Sequence, residues 1–278
     1  MSTVLHPTVE LSISNPEAVD TASAYLLVQV GNGFIGFASF QPTEKKVNAW
    51  VVYETALHEL EEKLGAIAAK HDWVHSNYQK VLLVQYAANN VLVPAMLNSD
   101  AAKEPLLELV NGPSQNTVLA RDIVLQQSLV NHYSIDATAA AILNKRFAKG
   151  EWWHVQSLLL TKRAAAEARI TVTIRFSEVQ LTAERAGKWL LLQSYSYQTP
   201  EDVLYYILNT MEQQQLSQEE TTVLLQGYIN QHSVLYDVLY NYILNLQLKE
   251  ELAYSFPAKE EHPVHLSASL DQVLVCVS

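Results

Sequence analysis

Gly31-Asn32-Gly33 separates two apolar runs, Tyr25 to Val30 and Phe34 to Phe40, and a turn of that composition has two uses. It supplies the positive φ angles of a tight reversal, and it presents backbone N–H groups of the kind that cradle phosphate. Phosphoryl chemistry also needs a carboxylate beside the turn to hold Mg²⁺. The strand entering it reads Leu26-Leu-Val-Gln-Val30 and has none. Farther along, Phe176-Ser177-Glu178 stands in an equivalent place without glycine, and Glu178 there repels phosphate. Gly227, closing another apolar run, leaves room for a nucleotide base. The candidate binding residues are therefore Gly31, Asn32, Gly33, Ser177 and Gly227, with hairpin geometry as the simpler account of Gly31 and Gly33. No residue is assigned a catalytic role, because a two-metal nuclease also requires carboxylates on the central strand.

The other reactive side chains form weaker patterns. His71 and His75 have the i,i+4 spacing of a metal pair on a helix, yet they fall at a helix end with no third ligand in view, so a solvated helix terminus is expected and no metal site. His262 and His265 are weaker still. Ser, His and Asp are present without a Gly-x-Ser-x-Gly elbow. Cys276, the single cysteine, reads as a buried small hydrophobe. Nine of the 14 tyrosines lie between positions 195 and 254, and Tyr205, Tyr206, Tyr236, Tyr240 and Tyr242 are expected mostly in the core.

Charge is unevenly distributed. The 278 residues include 29 Asp and Glu against 18 Lys and Arg, a net charge of −11, yet residues 145–188 hold nine of the bases and four of the acids. That segment is +5 and the remainder −16. Arg146, Lys149, Lys162, Arg163 and Arg169 make a candidate basic surface for an acidic partner or nucleic acid, the simpler reading being a solvated face that complements the chain's own acids. An acidic chain with 49% hydrophobic residues excludes disorder and whole-surface binding to nucleic acid or anionic lipid. No basic start followed by an apolar run, and no uninterrupted apolar stretch of about 18 residues, is visible. The expected location is the cytoplasm.

The elements that must position these residues repeat. Tyr25 to Val30, Phe34 to Phe40 and Val47 to Tyr53 read as three strands, followed by a helix carrying Leu57, Leu60, Leu64 and Ile67 on one face, an apolar strand from Lys80 to Tyr86, and a helical stretch from Pro94 to Asn111. Arg169 to Phe176, Val179 to Glu184 and Lys188 to Tyr197 again read as three strands. Thr199-Pro200 with Asp202 then opens a helix, Thr222 to Tyr228 is a strand, and a helix spans Ser233 to Leu248. The matching points lie 144 (Thr55, Thr199), 142 (Val81, Val223) and 143 (Val91, Val234) residues apart. Three concordant offsets indicate an internal duplication. Between the copies, Thr117 to Asp122 and Leu125 to Tyr133 read as strands and Ala137 to Phe147 as a helix.

A β-meander followed by alternating helix and strand is the ribonuclease H-like order, and two copies make the actin-like ATPase arrangement, an α/β fold of two lobes with mixed sheets flanked by helices. The run Ser194-Tyr-Ser-Tyr-Gln-Thr-Pro-Glu-Asp-Val-Leu-Tyr-Tyr-Ile-Leu208, then Leu224-Leu-Gln-Gly227 and Leu235-Tyr-Asp-Val-Leu-Tyr-Asn-Tyr-Ile243, resembles an uncharacterised bacterial family of duplicated actin-like proteins, akin to the actin-like subunit of type IV pilus assembly. The resemblance is closest over residues 165–250. It implies a fold and no established activity. The expected organisation is a polar segment 1–22, a first lobe 23–115, an inter-copy segment 116–168 and a second lobe 169–278. The expected function is a non-catalytic interaction or scaffold protein with a protein partner, no membrane and no cofactor. The alternatives are an ATP- and Mg-binding protein with degenerate phosphate loops, its candidate residues in an inter-lobe cleft, or an RNA-associated protein using segment 145–188.

Overall fold

The computed structural model describes residues 6–13, 20–99, 103–113, 115–257 and 262–278. These fall into two compact units, one within Met1–Thr161, Tyr254–Lys259 and Val277–Ser278, the other within Lys162–Ala253 and Glu260–Cys276. Among the described residues no helix is long and apolar enough to cross a membrane.

The first unit is built on a meander of β2 (Tyr25–Gly31), β3 (Phe34–Gln41) and β4 (Lys46–Glu54). Period-two alternation places Leu26, Val28, Val30, Ile35, Phe37, Val51 and Tyr53 in one core. Strand β1 (Val9–Ser12), within the expected polar segment, pairs antiparallel with β4. Beside β2 runs β5 (Lys80–Gln85), parallel from Tyr25↔Lys80, and beside β5 runs β9 (Glu151–His154), also parallel. The sheet order is β1-β4-β3-β2-β5-β9. Helices α1 (Leu60–Lys70) and α3 (Ala137–Arg146) supply Leu60, Leu64, Ile67, Ala139 and Leu143 to the same core. The start of α3 is fixed by Asp136, whose Oδ1 accepts from the N–H groups of Thr138 (2.7 Å) and Ala139 (3.0 Å). Between β5 and α3 the chain makes β6 (Asn90–Pro94), α2 (Lys103–Asn111), β7 (Thr117–Val124) and β8 (Leu129–Asp136), the strands forming a second sheet in the order β6-β8-β7. After β9 comes α4 (Val155–Leu159).

The second unit repeats the plan without that insertion. Its meander is β10 (Arg169–Arg175), β11 (Glu178–Arg185) and β12 (Lys188–Ser196), followed by α5 (Pro200–Gln213), β13 (Thr222–Gly227), α6 (Val234–Tyr242), β14 (Leu246–Leu248) and α7 (Val264–Val277). The sheet order β12-β11-β10-β13-β14 matches β4-β3-β2-β5-β9, with β13 parallel to β10 from Arg169↔Thr222 and β14 parallel to β13. Thr199 and Asp202 cap α5 reciprocally, as the sequence predicts.

Several expectations fail. Val91-Leu92 is not a helix start but lies in β6, where it pairs with β8, so the offset of 143 matched a strand to a helix. The counterpart of α6 is α3. The stretch from Pro94 to Asn111 yields a short 3-10 turn, Ala95–Leu97, and α2, with residues 100–102 outside the described ones. The helix expected to reach Leu248 ends at Tyr242, and Leu246–Leu248 is the fifth strand of its sheet. Leu125–Gln127 is a 3-10 turn, and β8 begins after Ser128 at φ 52°. Cys276 lies half-buried on α7, not buried, its thiol against the Gln272 carbonyl (3.1 Å). Tyr205, Tyr240 and Tyr242 are exposed, not core, while Tyr206 and Tyr236 pack partly buried on the second unit's core.

Candidate functional site

Each unit carries a hairpin at the end of the first strand of its meander, β2 or β10, and each hairpin is held by an aromatic pair. In the first, Gly31↔Phe34 closes a two-residue turn of Asn32 and Gly33. A Cβ at Gly31 would lie 1.8 Å from the Phe34 ring, so this glycine makes room for the phenylalanine. Gly33, at φ 81°, accepts at its carbonyl from Thr55 N–H (2.9 Å). The Phe34 ring meets Tyr86 edge-on at 5.8 Å, and Tyr86 N–H donates to the Val30 carbonyl at 2.8 Å. In the second unit, Arg175↔Glu178 closes a turn of Phe176 and Ser177. Phe176 meets Tyr228 at 4.8 Å, and Tyr228 N–H donates to the Ile174 carbonyl at 2.9 Å. The pairs Val30–Tyr86 and Ile174–Tyr228 are equivalents, offset by 144 and 142. In both units an aromatic clasp ties the hairpin to the residue that follows β5 or β13.

Gly31, Asn32 and Gly33 thus share one hairpin of the first unit, and Ser177 and Gly227 share one sheet end of the second. Gly227 has a reason inside the fold: at φ 88°, its Cβ would fall 2.2 Å from the Ile174 carbonyl oxygen. The Ser177 carbonyl accepts from Tyr197 N–H (3.2 Å), and Glu178 is buried on β11.

On β2 the buried polar side chain is Gln29, held at both ends. Its Oε1 accepts from Trp50 Nε1–H at 3.0 Å and its Nε2 donates to the Tyr86 hydroxyl at 2.9 Å. Gly36 opposite leaves space for it, a Cβ there lying 2.7 Å from Oε1. A neutral amide in this position supplies no charge for a cation.

The histidines part company. His71 is buried rather than solvated, its Nε2 2.6 Å from the Tyr53 hydroxyl, and burial pushes its pKa below the ordinary imidazole range. His75 is largely exposed and touches the Arg146 guanidinium, its pKa also lowered, first by partial desolvation of the ring and then by Arg146. Among the described residues no three His, Cys, Asp or Glu side chains form a group able to hold a metal ion.

A buried polar network in the first unit escaped the sequence reading. Asp122 accepts from His154 N–H (2.8 Å) and the Tyr133 hydroxyl (3.2 Å), and burial raises its pKa. His154 Nδ1 accepts from Gln156 N–H (3.3 Å), so the ring proton sits on Nε2 and donates to the Ala87 carbonyl (2.9 Å). Ser157 accepts from Asn131 (2.9 Å). Ser, His and Asp therefore meet, but Ser157 and His154 are 0% exposed and both ring nitrogens are engaged, so the group fixes β7, β8, β9 and α4 rather than attacking a substrate.

The candidate basic residues divide between the units, Arg146 and Lys149 in the first and Lys162, Arg163 and Arg169 in the second. Lys149, Lys162 and Arg163 are exposed, whereas Arg169 lies 3.9 Å from both Glu167 and Glu184. Between α1 and α3 the first unit opens a groove of about 610 Å³, lined by Leu64, Gly65, Ala68, Ala69, Ala141 and Ile142, with Glu61 at one end and His75, Lys145 and Arg146 at the other.

Two sheets of one order, each a meander extended by two parallel strands and flanked by helices, define an actin-like ATPase fold. A Bacteroides thetaiotaomicron protein with that fold and unknown function superposes with a TM-score of 0.71 at 17% identity, over 83% of this chain and 93% of that one. The PilM–PilN type IV pilus biogenesis complex gives 0.54 at 13% identity, over 93% and 99%. No curated protein sequence matches the chain. The chain belongs to the family described as Protein of unknown function (DUF3822), matched over residues 14–246.

Proposed function

We propose that this chain is a non-catalytic actin-like protein that serves as an interaction or scaffold module in the cytoplasm, with another protein as its partner and no cofactor. The observation that carries this reading is Gln29: on the strand where phosphoryl transfer needs a metal-holding carboxylate, a buried amide is held between Trp50 and Tyr86. The clasps Phe34–Tyr86 and Phe176–Tyr228 support it, because both hairpins are braced by the protein's own aromatics. A structural neighbour, PilM, is found in a complex with a second protein, PilN, which accords with the same role.

Calorimetric titration of the purified chain with Mg·ATP and Mg·ADP, followed by phosphate-release measurements, tests the reading. The expected result is no turnover and no saturable heat up to millimolar nucleotide. Magnesium-dependent turnover abolished by a substitution at Gly33 or Gly227 would overturn it.

A further inference from the structure

The duplication supplies its own control for the groove on the first unit. Helices α5 and α6 of the second unit lie directly against one another, and Leu204, Leu208, Leu235 and Tyr236 pack there onto the core. Their counterparts α1 and α3 hold the same places on the other sheet but do not close together, and the apolar groove lies between them. Its walls are half-buried or exposed side chains of small size, with Leu64 and Ala68 buried in the floor. Gly65, at the middle of α1, has no neighbour among the described residues within 4 Å of an added Cβ. A glycine inside a helix lowers helix stability, and nothing among the described residues requires one here.

The ends of the groove are oppositely charged. At the start of α1 stands Glu61. Where α1 and α3 end, Lys145 and Arg146 project beside His75, and Arg146 also borders a neighbouring hollow lined by Lys80, Lys149 and Glu151. On a chain of net charge −11, a cationic end to an apolar channel selects for a carboxylate. From Glu61 to Ala69 the wall is about 12 Å long at 1.5 Å per residue, two turns of a docked helix.

We propose that this groove is the docking site for a short amphipathic helix of a partner protein, with its apolar face on Leu64, Ala68 and Ile142 and its acidic end at Lys145 and Arg146. The proposal rests on the interaction role argued above and gives that role a place. Gly65 clears the wall so that the partner helix can come close, and the charges fix its direction. The basic segment noted in the sequence then begins, at Lys145 and Arg146, as one end of a binding channel.

The test uses the full chain and an array of 12-residue peptides with apolar residues at i, i+3, i+4 and i+7. Half carry two glutamates at one end and half two lysines in the same places, and binding is read by fluorescence anisotropy. Glutamate peptides are expected to bind about tenfold more tightly than their lysine twins. Gly65→Leu, or Ala141→Leu from the opposite wall, should remove that binding without lowering the melting temperature, and Lys145→Glu with Arg146→Glu should invert the preference. Equal binding of both halves, binding that survives Gly65→Leu, or no binding at all overturns the proposal. Self-association of the chain that Gly65→Leu abolishes also overturns it, making a second copy the occupant. These outcomes leave the nucleotide titration untouched, whereas ATP turnover sinks the non-catalytic reading whatever the groove binds.

Discussion

Replacing Gly65 by alanine should make the protein more stable, an unusual direction for a change in a folded chain. The magnitude follows from the local structure. Gly65 is the sixth of the eleven residues of α1, where alanine is favoured over glycine by about 0.8–1 kcal/mol. The new methyl meets no heavy atom of the described residues within 4 Å, so no steric cost is subtracted. Gly65 is exposed, so burial adds little. The net expectation is a gain of about 1 kcal/mol, equivalent to about 0.3–0.5 M in the urea midpoint at an m-value of about 2–3 kcal/mol per M. Tryptophan fluorescence suits the measurement, because Trp50, Trp73, Trp152 and Trp153 lie in the first unit and Trp189 in the second. The signal therefore follows mainly the unit that carries α1, which matters for a chain of two compact units. An unchanged or lowered midpoint would refute the reasoning. It would mean that part of the chain already fills the space beside Gly65, and the groove would lose its claim to an outside occupant.

Two further perturbations bear on the site. Gln29→Leu removes the acceptor of the buried Trp50 Nε1–H and should cost about 1–3 kcal/mol, seen as an earlier urea midpoint; a midpoint within error of the parent's would mean that the amide is not the structural bridge described above. Burial lowers the pKa of His71 in the folded chain, so the unfolded chain binds its proton first as pH falls. The neutral ring's contribution is full above the ordinary histidine pKa of about 6.5 and is lost as pH falls through the lower folded value. The melting temperature should therefore decline from pH 7 to pH 5, and more steeply than in His71→Gln; equal slopes would refute the assignment.

The repeated fold was legible because it is written in local patterns. Alternation in Arg169–Arg175, the cap at Thr199 and the apolar run Lys80–Gln85 each report on neighbours in sequence, and the equivalence of β2 with β10 and β5 with β13 follows from them. What the sequence concealed were the short fifth strands, β9 and β14. Leu246–Leu248 offers three residues, too few for alternation to rise above the helix signal just before it, and its identity comes from pairing with Val223–Leu225. The insertion was misread for a related reason: Val91-Leu92 resembles Val234-Leu235 as letters, while the strand pairing of Asn90–Pro94 is decided by β8, some forty residues later. Tertiary pairing overrode a short local resemblance.

The candidate residues divide along the same line. Gly31, Gly33 and Gly227 could be picked out because they bound apolar runs, but whether each serves backbone geometry or a ligand depends on atoms outside its own backbone. For Gly227 that atom is the Ile174 carbonyl, 53 positions earlier, and for Gly31 it is the Phe34 ring. Gly65 drew no notice in the sequence because a single glycine inside a helical pattern is tolerated. It gains meaning by contrast: Gly31 and Gly227 each face an atom that excludes a side chain, and Gly65 faces none among the described residues. The duplication sharpens the contrast, since α5 and α6 show what this arrangement of helices does when nothing is kept apart. A gap between α1 and α3 that costs helix stability, carries opposite charges at its ends and is closed in the sister unit is better explained by an absent partner than by imperfect packing.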